Sequence, residues 1–262
     1  MTKEWITNVD SYAKNVNLTS FQNRPILLWT FAINNHIDGK NTYGFHLLNL
    51  ILHIFVTILI FFISIRLKYL ISISNNFIKN ETLQSININN SHALLFSFGV
   101  AIIFALHPLN TDSVTYISSR SSVLATFFFL LTIYIFTEVM VPNKELNQRI
   151  LLILLMIPGI YLAIASKLIA VTLPVLLIIW FIFIKENRYP KKINKYFSTT
   201  KIVIFFCCGG IILLISDKFL NILYSPKDQG LELFGRVPYF LIQIKVVIFY
   251  YLKQFVLPFN LN

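Results

Sequence analysis

The chain has 262 residues, of which 56% are hydrophobic and 13% charged, about half the ~25% charged share of a soluble domain. Its mean hydropathy is +0.70, and the charge deficit runs along the whole chain, which excludes a soluble domain on a single anchor. The net charge of +11 does not make it a nucleic-acid binder, because such proteins present a basic face on a folded soluble surface and here the basic residues sit mainly between apolar runs.

Residues 47–65, 93–106, 123–137, 150–166, 168–184 and 202–216 contain no formally charged side chain. Buried strands reach a turn signal within ~4–8 residues, and membrane barrel strands alternate polar with apolar positions; these runs do neither. A helix crossing a bilayer needs about 20 apolar residues. The expected fold is therefore all-α, a polytopic membrane helix bundle of about seven or eight helices. It forms one membrane domain over 1–262, with 1–43 as an outer-side segment and 44–262 as the transmembrane bundle.

In chain order, residues 1–23 are polar and lack the pattern of a signal peptide. Arg24-Pro25 opens an amphipathic stretch to Ile37, expected to lie at the membrane surface and ended by the turn signal Asp38-Gly39. The first span is expected over 44–65. A loop rich in Asn, Ser and Ile leads to a short second span over 92–106, ended by His107-Pro108, since proline lacks an N–H and restricts its predecessor. A polar link over 110–122 precedes span three (123–140), and Pro142-Asn143-Lys144 turns the chain into span four (150–165). Ser166-Lys167 form a hairpin into span five (168–184), followed by a basic loop and span six (202–215). Residues 217–236 lie on the surface, and 237–257, with Gln243, Lys245 and Lys253, form a last span or an interfacial helix. Cys207 and Cys208 are adjacent, so on a helix they point apart and read as small packing residues.

Lys185, Arg188, Lys191, Lys192, Lys195 and Lys201 share one short loop, and the positive-inside rule places it in the cytoplasm. Alternation then puts the N-terminal segment, the 107–120 link, the Ser166-Lys167 hairpin and 217–236 on the outer side, where the notable polar residues converge. His46, Asn49 and His53 share one face of the first span; such a stripe faces protein or a wet cavity. Asn49, His53 and Gln243 are read as structural or cavity-lining, and His46, nearer the outer surface, as ligand-facing. Asp112 is a candidate base or single ligand for a divalent cation. Arg120 is either a phosphate clamp or the ion-pair partner of Asp112. Lys167 either snorkels to water or meets a phosphate. With Arg24 and His107, these residues suit an anionic lipid head group such as a polyprenyl phosphate carrying a sugar.

Four ordered blocks give the chain a resemblance. They are Arg24-Pro25 with Asn34, Phe45-His46-Leu47-Leu48-Asn49-Leu50 and His53; Phe104-Ala105-Leu106-His107-Pro108 with Thr111-Asp112, Val114 and Arg120; Ser166-Lys167 with Pro174; and Gln243, Tyr250, Tyr251, Pro258 and Leu261. The chain resembles the integral membrane glycosyltransferases of the GT-C class, and is most similar to the O-mannosyltransferase-like membrane domains that precede tetratricopeptide repeats. The resemblance implies transfer of a sugar, mannose above all, from a polyprenyl or dolichyl phosphate carrier to a protein hydroxyl or glycan acceptor on the outer or lumenal face. It implies Asp112 as the catalytic acid of the second outer loop, Arg24, Arg120 and Lys167 facing phosphate, His107 shaping the site and a divalent cation as cofactor. A bacterial inner membrane or an endoplasmic reticulum membrane would house such a protein.

The sequence departs from the family pattern in three ways. The paired acids expected upstream of Arg-Pro are not present, Asp10 standing alone; Leu168 follows Lys167 where the family has glutamate; and no repeats follow the fourth block. The chain is thus expected to be part of a larger protein. A non-catalytic membrane subunit that binds lipid phosphate or a partner protein is the alternative reading, with a transporter ranked below it.

Overall fold

A computed structural model describes residues 24–39, 41–78, 91–141, 144–188, 241–242, 244–247 and 255. Seven helices organise residues 24–188 as far as these are described: α1 (Pro25–Asp38), α2 (Thr42–Ile78), α3 (Ser91–Leu106), α4 (Thr111–Thr115), α5 (Arg120–Val139), α6 (Leu146–Ser166) and α7 (Thr172–Arg188). Short 3-10 turns at Pro108–Asn110, Ile117–Ser119 and Leu168–Val171 join several of them, and no strand occurs among the described residues.

Residues 42–70, 117–139 and 146–166 are helical stretches long and apolar enough to cross a bilayer. A fourth candidate is α3 with the segment after Pro108, bent by 55° between its two parts, and Leu168–Phe181 is a shorter apolar helix. Their outward faces carry bulky apolar side chains, among them Ile54, Phe55, Phe98, Ile103, Leu154 and Ile179. Exposure of that kind on several neighbouring helices fits hydrocarbon as the solvent. The chain is an integral membrane helix bundle. Predicted span six, the basic loop from residue 189 on, the two cysteines and Gln243 lie outside the described residues, while Lys185 and Arg188, expected in that loop, belong to the last turns of α7.

The helices pair head to tail. His53 on α2 reaches Ala105 near the end of α3, while Lys68 reaches His92 at its start, so α2 and α3 are antiparallel. Arg120 meets Asn49 at one end and Arg66 meets Glu138 at the other, so α2 and α5 run parallel. Lys167 after α6 meets Ser122 at the start of α5, so α5 and α6 are antiparallel. One end of the bundle, here the head, therefore collects the starts of α2 and α5, the end of α3, the α6–α7 junction and α4. Both ends of α1 meet the head, through Arg24–Ser121 and through the Asp38 carboxylate accepting from the Gly44 N–H, so α1 lies across it. It buries Leu27, Leu28, Phe31, Ala32 and Asn34 there.

Local chemistry sets the helix limits. Pro25 occupies the first turn of α1, where its missing N–H costs nothing. Gly39 ends it at φ 61°, a region open to glycine. Asn41 then accepts from the Tyr43 N–H, an N-cap for α2. Several boundaries differ from the sequence expectation: α6 begins at Leu146 rather than at 150, and α7 covers Thr172–Arg188 rather than 168–184. Helix α2 continues well beyond residue 65, because Arg66 finds Glu138 and Lys68 lies over the Phe96 ring; pairing lets the helix carry its charges past the apolar run. The expected polar link over 110–122 is helical, built from α4 and two 3-10 turns.

At the tail, Glu138 is held by Arg66 and by Lys144 at 2.9 Å, and Arg149 donates to the carbonyls of Val141 and Lys144. Between the ends, Phe136, Met156, Ala163, Leu173, Leu177 and Phe181 fill a core shared by α5, α6 and α7. Gly159 of α6 sits directly against the Thr132 hydroxyl of α5, closer than any Cβ is tolerated. Small residues at such crossings let membrane helices approach, and close van der Waals packing drives their association. Gly159→Val is expected to lose about 1–3 kcal/mol of stability by overpacking. Combining it with Thr132→Ala should recover part of the loss, as read by thermal unfolding in lipid nanodiscs.

Candidate functional site

The head is organised by two buried polar side chains. Arg120 and Asn49 are both fully buried. The Arg120 Nε donates to Asn49 Oδ1 at 2.9 Å, Nη1 to Asn34 Oδ1 at 2.9 Å and to the Thr30 carbonyl at 3.5 Å, and Nη2 to the Phe45 carbonyl at 2.9 Å. The rings of Phe31 and Phe45 lie 4.6 and 5.3 Å from the guanidinium carbon, within cation–π range. Asn49 also donates to the carbonyls of Val114 and Tyr116 at 3.4 and 3.2 Å, which fixes its amide orientation. The pair thereby joins α1, α2, α4 and α5.

This arrangement corrects two expectations for Arg120. It is neither a phosphate clamp nor the ion-pair partner of Asp112. Its fork is spent on amide and backbone oxygens, and no part of it reaches the surface. Desolvating a guanidinium costs several kcal/mol; charge-assisted hydrogen bonds and two aromatic faces offset that cost. The sequence signal for this role was Asn34, Phe45 and Asn49 in the block that precedes that of Arg120, a set of neutral acceptors matched to one fork.

The polar stripe of α2 divides by depth. His46 is exposed. The His53 Nε2 donates to the Ala105 carbonyl at 3.4 Å and its ring stacks on Phe104, so it satisfies a carbonyl in the last turn of α3. His107 accepts the Leu109 N–H at Nδ1, 3.2 Å away, and donates from Nε2 to the Phe255 carbonyl at 3.1 Å. Both ring nitrogens are used, so His107 shapes the turn after α3. Asp112 is exposed in the first turn of α4. Among the described residues no three His, Cys, Asp or Glu side chains converge as a metal cage. Asp112 therefore stands as a single carboxylate.

Two other cations meet at the start of α5. The Lys167 Nζ donates to Ser122 Oγ at 2.8 Å, and the Arg24 Nη1 donates to Ser121 Oγ at 3.2 Å. Lys167 stands in extended backbone where α6 stops (φ −156°, ψ 130°). Burial and then the Arg24 charge lower its pKa below the ordinary lysine value. Ser119, the N-cap residue of α5, makes no side-chain capping hydrogen bond, so the positive end of the helix dipole adds to both cations. Lys167 and Ser122 also line a groove of about 490 Å³, whose other walls are Ala125, Thr126, Phe129, Leu130, Ile169, Ala170 and Thr172. The set can receive an anion at its polar end and an apolar body along its length.

No family model and no solved structure matches the chain. Among proteins of known name, it is 25% identical over 133 residues to a protein O-mannosyl-transferase of Caenorhabditis elegans, a stretch covering 51% of this chain and 16% of the relative. It is 29% identical over 136 residues to human protein O-mannosyl-transferase TMTC1, covering 52% and 12%. It is 30% identical over 108 residues to Drosophila melanogaster protein O-mannosyl-transferase Tmtc3, covering 41% and 11%. The chain thus matches less than a fifth of each of these relatives, over about half its own length, as an O-mannosyltransferase-like membrane domain.

Replacing Arg120 tests its role in the head. Arg120→Met and Arg120→Lys should both cost about 3 kcal/mol or more, because each leaves several buried acceptors unsatisfied at ~1–3 kcal/mol apiece. Keeping the charge as lysine should not rescue the fold, since one ammonium cannot span acceptors on α1 and α2. Denaturant unfolding in detergent reads the difference, and wild-type stability in either variant would remove the network from the account.

Proposed function

We propose that this O-mannosyltransferase-like membrane domain serves transfer of mannose from a polyprenyl or dolichyl phosphate carrier to a protein hydroxyl, at the outer or lumenal face. The observation that carries the reading is the meeting of Lys167 and Arg24 on adjacent serines at the start of α5, at the mouth of a groove in the membrane-spanning bundle. The names of the relatives supply the sugar and the class of acceptor.

In the transfer, the bond between the sugar's anomeric carbon and the carrier phosphate breaks and the acceptor oxygen takes the phosphate's place. Negative charge builds on the departing phosphate. Fixed cations and donors placed there beforehand stabilise it without reorganisation; Lys167, Arg24 and the first turn of α5 fill that role. Asp112, exposed on the same end of the bundle, is assigned to take the acceptor's proton. Arg120 positions the site by holding α5 against α1, and His107 does so by shaping the turn that leads to Asp112.

Transfer from a polyprenyl-phosphate mannose to a hydroxyl-bearing peptide, measured in native membranes, tests the reading. Asp112→Asn should lower the rate by about 100-fold or more, the scale of a lost general base; equal rates would remove Asp112 from the chemistry. A protein that binds the carrier phosphate but transfers nothing would instead be a lipid-phosphate-binding membrane subunit.

The pH dependence has a definite sign. The protonated ammonium of Lys167 holds the phosphate, so kcat/KM falls as pH rises through its pKa. Burial and Arg24 lower that pKa, so the alkaline fall begins below the ordinary lysine range. Lys167→Met should be slow throughout and lack that fall. A Lys167→Met profile with the same alkaline limb as wild type would assign the limb to another group.

A further inference from the structure

Asp112 sits on a segment with little structure of its own. Helix α4 is five residues long, and so short a helix does not hold its shape in isolation. Side chains pin the segment at both ends. On the entry side, the Asn110 amide donates to the Phe104 carbonyl of α3, and the Leu109 N–H donates to the His107 ring. On the exit side the pin is Asn49 of α2, whose Nδ2 donates to the carbonyls of Val114 and Tyr116 at 3.4 and 3.2 Å. The Tyr116 N–H in turn donates to the Asp112 carbonyl at 3.1 Å. A residue that Asn49 holds is therefore bonded directly to the backbone of the acid.

The Asn49 amide cannot turn over. Its Oδ1 accepts from the Arg120 Nε at 2.9 Å, and a guanidinium has no acceptor to offer. The oxygen must face Arg120, so the NH2 must face the two carbonyls. Asn49 is fully buried, out of reach of water that could replace either bond. From this we infer that Asn49 is a positioning residue for Asp112: the buried guanidinium orients the amide, and the amide fixes the turn that carries the carboxylate. This rests on the transferase reading above. A base must lie within hydrogen-bond reach of the proton it takes, and a misplacement of about 1 Å can cost 100-fold in rate. Asp112 is exposed, so its place is set by the backbone beneath it rather than by packing around its side chain.

Asn49→Asp separates the two bonds of the amide. It keeps the side-chain shape and still accepts from Arg120, but it sets a carboxylate oxygen against the Val114 and Tyr116 carbonyls where a donor stood. The head stays paired while α4 loses its exit pin. Transfer from a polyprenyl-phosphate mannose to a hydroxyl-bearing peptide in native membranes should show kcat lowered about 10- to 100-fold. KM for the donor should stay within about two-fold of wild type, since the phosphate site is untouched. In an Asp112→Asn background the same substitution should change kcat by less than about two-fold, because its effect passes through Asp112. Hydrogen exchange in lipid nanodiscs should rise at residues 112–116 and keep its wild-type level along α5. Unchanged exchange at 112–116 would overturn the pin whether or not the chain transfers mannose. Exchange raised equally along α5 would make Asn49 a support of the whole head and overturn its specific role, as would an equal loss of kcat in both backgrounds. A wild type that transfers nothing, with exchange still raised at 112–116 in the variant, would overturn the transferase reading and the catalytic meaning of the pin together, leaving only the anchor of α4.

Discussion

A single buried guanidinium holds the head of this bundle together. Arg120 belongs to α5, yet its partners lie on α1 and α2, and through Asn49 on the segment that follows α4. In a membrane, helices gain little from hydrophobic contact with one another, because lipid is equally apolar. Polar groups that find partners only in one arrangement therefore decide which arrangement forms. A charge met by neutral oxygens and two ring faces fixes α1 across the bundle end, and that placement brings Arg24 beside Ser121. The candidate phosphate site follows: one of its cations arrives on α1, the other on the α6–α7 junction, and α5 supplies the serines between them.

The two ends of the bundle are secured by different chemistry. The tail uses charges of opposite sign, with Arg66 and Lys144 on Glu138. The head gathers Arg24, Arg120 and Lys167, and gives Arg120 neutral partners. Two cations set on adjacent serines beside an apolar groove suit an anionic ligand better than a bare structural cap. Between the ends, the contact of Gly159 with Thr132 and the core around Phe136 and Leu173 keep α5, α6 and α7 close. The groove walls are therefore borne on packed elements.

The helical class was legible because charge-free runs of membrane length leave no other solution for the backbone. Helix ends were legible where glycine or proline marks them, at Gly39 and before Pro108. The extension of α2 was not, since Arg66 reads as a stop until Glu138, far along the sequence, is known to meet it. Arg24, Asn34, Asn49, Arg120 and Lys167 were visible as candidates, but their roles were not, and Ser121 and Ser122 carry no signal in the sequence. Arginine in an outer link reads as a free cation, and only the fold shows that Asn34, Phe45 and Asn49 occupy its fork. Lys167 and Arg24 share a site because α1 lies across the head, which their separation in sequence could not reveal. The groove was invisible for the same reason: its α5 face reads as ordinary apolar helix until the turn after Lys167 is placed opposite.

The proposed function places the carrier phosphate against Lys167 and Arg24 at the start of α5. Photo-crosslinking tests it most directly, with a polyprenyl phosphate bearing a photoreactive group near the phosphate, added to the protein in its membrane and mapped by peptide mass spectrometry. The account predicts adducts on residues 122–130 and 167–172, lost when unlabelled polyprenyl phosphate competes. Adducts spread over the lipid-facing sides of α2, α3 and α6, and unaffected by competitor, would contradict it.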